Sequence, residues 1–233
     1  MTTGLAGWPL RSASLDDLAG LWPADSGPIV ELPKDLVDRL SIKRLRGLLE
    51  PVDVPVSLAG TTDLARLGGM DWELYQRYLD IQIAQLHFLG ATLFRGFLQA
   101  ETQEEFRRAL DRLKAYAATH ADVEFVLETH NGWETTLSGL TELLADAPFR
   151  LVVDFANIEH ADAKEFILEG GIGGRIAYFH TRRLPESGDR SAISVTERRA
   201  RAAYPAHAFL WEPKSIGTRR ALEVWRSRGG RSG

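Results

Sequence analysis

Four polar residues, three carboxylates and one imidazole, each close an apolar run in the carboxy-terminal half of the chain. The runs end at Glu128, Asp154, His180 and Glu212. The gaps between them are 26, 26 and 32 residues, each the length of one strand-helix repeat. If the strands are parallel neighbours, the four side chains meet at one end of a sheet, where they would repel one another without a cation between them. The spacing therefore predicts a divalent metal site.

Residues that share a face with these four are apolar. Side chains alternate along a strand, so the residue two positions earlier points to the same side. Those earlier residues are Val126, Val152, Tyr178 and Leu210. We expect them to fill the interior beneath the site, as the packed core of a barrel requires.

Short runs rich in Val, Ile, Leu and Phe are typical of strands buried on both faces of a parallel sheet. The sequence predicts them at 28–32, 54–58, 91–94, 123–128, 149–154, 175–180 and 206–212. Helical spacing of apolar residues predicts the intervening helices, at 34–49, 72–88, 102–120, 133–145, 161–169 and 215–228. A further unit at 5–21, with Gly7-Trp8-Pro9 as its strand end, brings the count of strands to eight.

Eight strands alternating with helices indicate an α/β fold, a (β/α)8 TIM barrel, because parallel crossovers close on themselves at this number. An open doubly wound sheet is the alternative, but its six or so strands would leave two predicted strands unused. Nothing in the sequence resembles a linker, so we predict one domain over residues 1–228 and a flexible tail at 229–233, rich in Arg, Gly and Ser.

The charge and amino-acid composition of the chain exclude some classes of function and disfavour others. The 233-residue chain has a net charge of −4, so bulk electrostatics do not favour nucleic acid as a partner. It contains no cysteine, which excludes thiolate metal sites and a cysteine nucleophile. No apolar stretch approaches the roughly 20 residues of a membrane span, and the amino terminus lacks a secretory signal. The expectation is a cytoplasmic protein without membrane contact.

The strand-end segments resemble a known superfamily. Residues 127–132 (LETHNG), 153–157 (VDFAN), 179–182 (FHTR) and 211–213 (WEP) resemble the successive metal-site motifs of the xylose isomerase-like barrels, most closely those of the sugar-phosphate isomerase/epimerase branch. The order Glu, Asp, His, Glu is that family's order of metal ligands, and residues 89–95 resemble its preceding helix-to-strand passage. One such acid alone is ordinarily a solvated loop carboxylate, but four in order are specific.

The resemblance implies one divalent metal held by Glu128, Asp154, His180 and Glu212. An oxygen-rich set with one imidazole suits Mn²⁺, Mg²⁺ or Co²⁺, and Zn²⁺ also fits. The ion would chelate a carbonyl and an adjacent hydroxyl of a small polyol or keto-sugar and stabilise an enediolate. By the same resemblance, Glu128 and Glu212 are the catalytic pair, one removing a proton and the other returning it.

Four further residues are candidates for substrate binding: His130, Asn157, Arg182 and Arg95. The chain departs from the family where many epimerases have a substrate-binding His, because Asn157 can hydrogen-bond a hydroxyl but cannot shuttle protons. It also has Glu186 where those epimerases place an Arg, which argues against ketose 3-epimerisation in particular. Beyond the site, the three arginines at 198, 199 and 201 are predicted to lie on a solvated helix face.

The favoured function is a metal-dependent isomerase or epimerase of a sugar, sugar phosphate or sugar acid in carbohydrate metabolism. A dehydratase or other lyase of a keto-polyol or cyclic hydroxy acid is the alternative, because proton abstraction beside a carbonyl starts both reactions. A non-catalytic barrel subunit also stays open, and the resemblance allows for a homo-oligomer. A nuclease like endonuclease IV is disfavoured, because it needs extra histidines from early strands and residues 1–86 contain none.

Overall fold

The computed structural model describes residues 3–22, 28–63, 72–182, 194–213 and 216–229. The strands in these ranges are β1 Thr3–Leu5, β2 Val30–Pro33, β3 Val56–Asp63, β4 Leu93–Phe97, β5 Glu124–Glu128, β6 Arg150–Asp154, β7 Ile176–Thr181 and β8 Phe209–Trp211. The α-helices are α1 Leu15–Ala19, α2 Lys34–Arg39, α3 Ile42–Leu49, α4 Trp72–Leu89, α5 Gln103–Ala118, α6 Leu137–Asp146, α7 Ala161–Leu168, α8 Val195–Ala203 and α9 Thr218–Gly229. Glu186 and tail residues 230–233 lie outside the described residues.

The strands form one parallel sheet that is almost closed. Their order is β1-β8-β7-β6-β5-β4-β3-β2, so every strand except the two at the seam pairs with neighbours on both sides. At the seam between β1 and β2, the backbone N–H of Gly7 donates a 2.7 Å hydrogen bond to the Glu31 carboxylate. The predicted (β/α)8 barrel is confirmed.

Local sequence signals explain where the principal helices begin and end. The α5 helix starts at Thr102, whose hydroxyl accepts the Glu105 N–H while the Glu105 side chain accepts from the Thr102 backbone, a capping box. The α4 helix ends before Gly90, whose φ of 72° is accessible to glycine at little cost. The predicted elements at these places are confirmed.

Two apolar layers hold the barrel together. The larger lies between the strands and the surrounding helices. The smaller fills the barrel interior and is made of Ala6, Ile29, Leu93, Val126, Val152, Tyr178 and Leu210. It contains all four residues that strand alternation placed beneath the site, so that prediction is confirmed.

Four predictions about single elements are wrong. Gly7-Trp8-Pro9 is not a strand end, because β1 ends at Leu5 and Trp8–Leu10 form a 3-10 helix. The helix expected at 34–49 is two helices, because Leu40 and Ser41 are extended and let α2 and α3 bury separate apolar faces. The β4 strand continues to Phe97, which puts Arg95 in its middle rather than at its end. Arg201 is buried rather than solvated, because its guanidinium packs 4.1 Å from the centre of the Phe209 ring.

In the part of the chain that the structure describes, no helix is both long enough and apolar enough to span a membrane.

Candidate metal centre

The four predicted ligands meet at the carboxyl ends of consecutive strands. Glu128 and Asp154 are the last residues of β5 and β6, His180 is the penultimate residue of β7, and Glu212 directly follows β8. All four are buried, and one donor atom of each lies within 4.8 Å of the other three. The four side chains that the sequence predicted to meet therefore do lie together as a cluster of donor atoms.

The spacing of these donors fits a hard divalent cation. Bonds of about 2.1 Å place neighbouring ligands about 3.0 Å apart and opposite ligands about 4.2 Å apart. His180 Nδ1 lies 3.1 Å from Glu128 Oε1 and 3.9 Å from Glu212 Oε1. The widest spacing of 4.8 Å would close by several tenths of an ångström around an ion. Four protein donors would leave about two of six coordination positions for substrate.

Two arginines approach the same carboxylates. The Arg95 guanidinium forms an ion pair with Glu128 and places its Nε 3.0 Å from Glu31 Oε2. Arg182 donates to Asp154 Oδ2 at 2.6 Å and to Asn157 Oδ1 at 3.1 Å. The cluster of carboxylates is thus partly neutralised by side chains of the protein itself.

These charges set the protonation states of the centre. Burial acts to raise the pKa of Glu128, but the positive charges of Arg95 and His180 outweigh it and lower that pKa to about 2. Burial acts to lower the pKa of His180, but the surrounding carboxylates, Glu31 first, raise it well above its usual value. In the metal-free protein these carboxylates therefore favour the protonated form of His180, and an ion must displace the proton of the nitrogen to which it binds.

The sequence interpretation missed Glu31, which belongs to the same polar layer. Its side chain is wholly buried, and it accepts hydrogen bonds from Tyr178 Oη at 2.7 Å and His180 Nε2 at 3.2 Å. Burial would raise the pKa of Glu31, but Arg95 and His180 lower it instead. The missed signal was an acid in the apolar run Pro28–Leu32, two residues after inward-facing Ile29.

A cavity of about 280 Å³ opens above the centre. Four predicted site residues line it: Arg95, Glu128, His130 and Glu212. Its outer wall includes Trp8, Pro33, Lys34 and Phe97. The His130 ring stacks on Phe97 with 4.8 Å between ring centroids, which holds the imidazole at the rim. The cavity therefore combines two carboxylates of the donor cluster with an apolar wall and cationic groups.

Asn157 and Arg182 lie on the Asp154 side of the centre. Asn157 is buried, and its amide donates to the Thr129 carbonyl at 3.0 Å. The Thr129 hydroxyl in turn accepts the backbone N–H of Asp154 at 3.0 Å. These contacts link the loop after β5 to the end of β6 and hold the backbone that carries the Asp154 carboxylate.

Comparisons with known proteins identify the architecture. No protein-family model matches the chain, and no curated protein matches it by sequence. A xylose isomerase domain-containing protein from Salmonella typhimurium matches with a TM-score of 0.61 over 98% of this chain and 95% of that one, at 14% identity. The chain has the xylose isomerase-like TIM barrel fold.

Two other solved structures with this fold have more specific names. A D-allulose 3-epimerase from a Methylomonas species has a TM-score of 0.67 and 17% identity, covering 95% of this chain and 89% of its own. A probable 3-DHS dehydratase of petrobactin synthesis from Bacillus anthracis, AsbF, has a TM-score of 0.69 and 17% identity, covering 99% and 98%. At such identities the likeness establishes the shared barrel.

Proposed function

We propose that this protein is a divalent-metal-dependent isomerase or epimerase that moves a proton beside the carbonyl of a small sugar, sugar phosphate or sugar acid. One observation carries the proposal. Glu128 and Glu212 both belong to the buried donor cluster and both line the cavity above it. Two carboxylates at one substrate-sized cavity are what proton removal and return require.

The donor set suits Mn²⁺, Mg²⁺ or Co²⁺ held by Glu128, Asp154, His180 and Glu212. A bound ion would supply Lewis-acid polarisation of a substrate carbonyl. Glu212 would take the proton from the carbon beside that carbonyl, and Glu128 would return one. Two residues that line the cavity would orient the substrate, Arg95 by attracting anionic groups and His130 by hydrogen-bonding hydroxyls. Arg182 and Asn157, on the Asp154 side of the centre, would have the same two roles.

A lyase is the second candidate, and a specific observation favours it. Arg95 is ion-paired with Glu128, and the charges of Arg95 and His180 lower the pKa of that carboxylate and so weaken it as a base. Asn157 cannot move a proton in place of the histidine found in many epimerases. A single base is enough to start a dehydration, in which removal of a proton beside the carbonyl is followed by loss of a β-hydroxyl. The likeness to the probable dehydratase from Bacillus anthracis is consistent with this alternative.

Deuterium exchange from solvent tests the proposal. The Mn²⁺-supplemented protein is incubated in D₂O with a panel of ketoses and keto-acids, and the products are analysed by NMR and mass spectrometry. We expect deuterium beside the carbonyl with an isomeric product, whereas a lyase would yield a dehydrated product. Glu212→Gln should abolish exchange, and exposed Arg198→Ala should leave it unchanged. Exchange that survives Glu212→Gln, or no exchange with any substrate, would count against the proposal.

A further inference from the structure

Glu31 contacts four donor residues that come from three parts of the barrel: the loop after β1, β4 and β7. Its Oε1 accepts from the Gly7 backbone N–H at 2.7 Å. Its Oε2 accepts from Tyr178 Oη at 2.7 Å and lies 3.0 Å from Arg95 Nε and 3.2 Å from His180 Nε2. Every neighbour in this set is a donor, so an ionised carboxylate satisfies all of them.

The His180 ring lies between two sets of carboxylates. Its Nε2 faces Glu31, whereas its Nδ1 faces Glu128 at 3.1 Å and Glu212 at 3.9 Å. An imidazole that binds a metal through one nitrogen carries a proton on the other. Because Glu31 can only accept a hydrogen bond, it stabilises the form in which Nε2 is protonated and Nδ1 is available to an ion.

We propose that Glu31 is a positioning residue of the metal centre, accepting the Nε2 proton of His180 and thereby directing Nδ1 toward the side of Glu128 and Glu212. This inference rests on the proposed metal-dependent function. Partners of this kind typically account for 10- to 100-fold in metal affinity. Glu31 also bonds across the barrel seam, so the same side chain connects closure of the barrel to the orientation of a ligand.

Replacement of Glu31 by glutamine isolates this role. The two side chains have the same shape, but the glutamine amide presents a donor to neighbours that are donors themselves. We expect Glu31→Gln to weaken Mn²⁺ binding by about 10- to 100-fold, measured by the electron paramagnetic resonance signal of free Mn²⁺. The matched control is Tyr178→Phe, which removes one donor to Glu31 and leaves the contact with His180 in place. The control should bind Mn²⁺ within about threefold of wild type, a difference below 1 kcal/mol.

A second measurement needs no variant of Glu31. In Zn²⁺-loaded wild type with ¹⁵N-labelled histidine, the His180 ring, assigned by its loss in His180→Asn, should show a protonated Nε2 and a metal-bound Nδ1. The opposite assignment would overturn the inference, as would equal weakening of Mn²⁺ binding in Glu31→Gln and Tyr178→Phe. If wild type binds no Mn²⁺, the proposed function itself fails. If wild type binds it and Glu31→Gln binds it equally well, the positioning role alone is overturned.

Discussion

Replacing Arg95 by methionine removes a buried positive charge and keeps most of the aliphatic stem. In wild type this guanidinium pairs with Glu128 and with Glu31, and all three side chains are buried. Removing one partner of a buried pair costs about 3–5 kcal/mol, because the remaining charge is left without compensation. In a domain of this size, each kcal/mol lost from the free energy of unfolding lowers the melting temperature by about 2–4 °C. Metal-free Arg95→Met should therefore melt about 6–20 °C below wild type.

Added metal should reverse part of this loss. In Arg95→Met, an ion bound by Glu128 replaces the missing positive charge. The ion is also no longer repelled by the guanidinium that wild type carries at this position. At a concentration 100 times its dissociation constant, an ion stabilises a protein by about 2.7 kcal/mol. The same concentration of Mn²⁺ should stabilise Arg95→Met by more than it stabilises wild type, because the variant binds the ion more tightly.

The assay is calorimetric unfolding of both proteins in EDTA and in Mn²⁺. The control is Arg150→Met, which breaks an ion pair with Glu124 between half-exposed side chains at the opposite ends of the strands. Exposed pairs contribute about 0–1 kcal/mol, so this variant should melt close to wild type and respond to Mn²⁺ as wild type does. Equal losses in the two variants, or a loss in Arg95→Met that Mn²⁺ does not reduce, would refute the reasoning.

Three further predictions concern pH, a structural arginine and a supporting threonine. The pKa of Glu128 is lowered from 4.5 to about 2, so its contribution to stability is present above pH 4.5 and is lost as pH falls toward 2. Urea unfolding of the metal-free protein should show this acid-dependent loss in wild type and in exposed Glu165→Gln, and a smaller one in Glu128→Gln. Arg175 donates to the carbonyls of residues 144, 147 and 149, far from the centre. Arg175→Met should therefore lower the free energy of unfolding by about 2 kcal/mol without changing the affinity for Mn²⁺. A changed Mn²⁺ affinity would contradict the view that Arg175 stabilises the fold alone. Thr129→Val leaves the Asp154 N–H without its hydroxyl acceptor and should weaken Mn²⁺ binding by about tenfold, and unchanged affinity in a titration would show that this contact does not orient the ligand.

Much of the barrel and its donor cluster could be predicted from the sequence because β5 to β8 follow a simple rule. Each is an apolar run closed by a polar residue, and alternation then assigns the residue beneath it. The same rule applied to β2 and β4 would have placed Glu31 and Arg95 in one inward-facing layer. Cytoplasmic location and homo-oligomerisation remain predictions.

Long-range contacts explain what the sequence did not reveal. Glu31 and His180 touch across the barrel although 149 residues separate them, and no local pattern indicates such a pair. The burial of Arg201 depends on the Phe209 ring of another element. The break at Leu40 and Ser41 lets α2 pack on β2 and β3 while α3 packs on α1 and α4, whereas local helical spacing continues through both residues.

Titration of the metal-free protein with Mn²⁺ tests the central claim most directly. Isothermal calorimetry should find one Mn²⁺ per chain, lost or greatly weakened in Asp154→Asn and retained in Glu165→Gln, whose exposed carboxylate lies on α7. Absence of binding to wild type, or equal binding in both variants, would contradict a metal centre formed by the ends of β5 to β8.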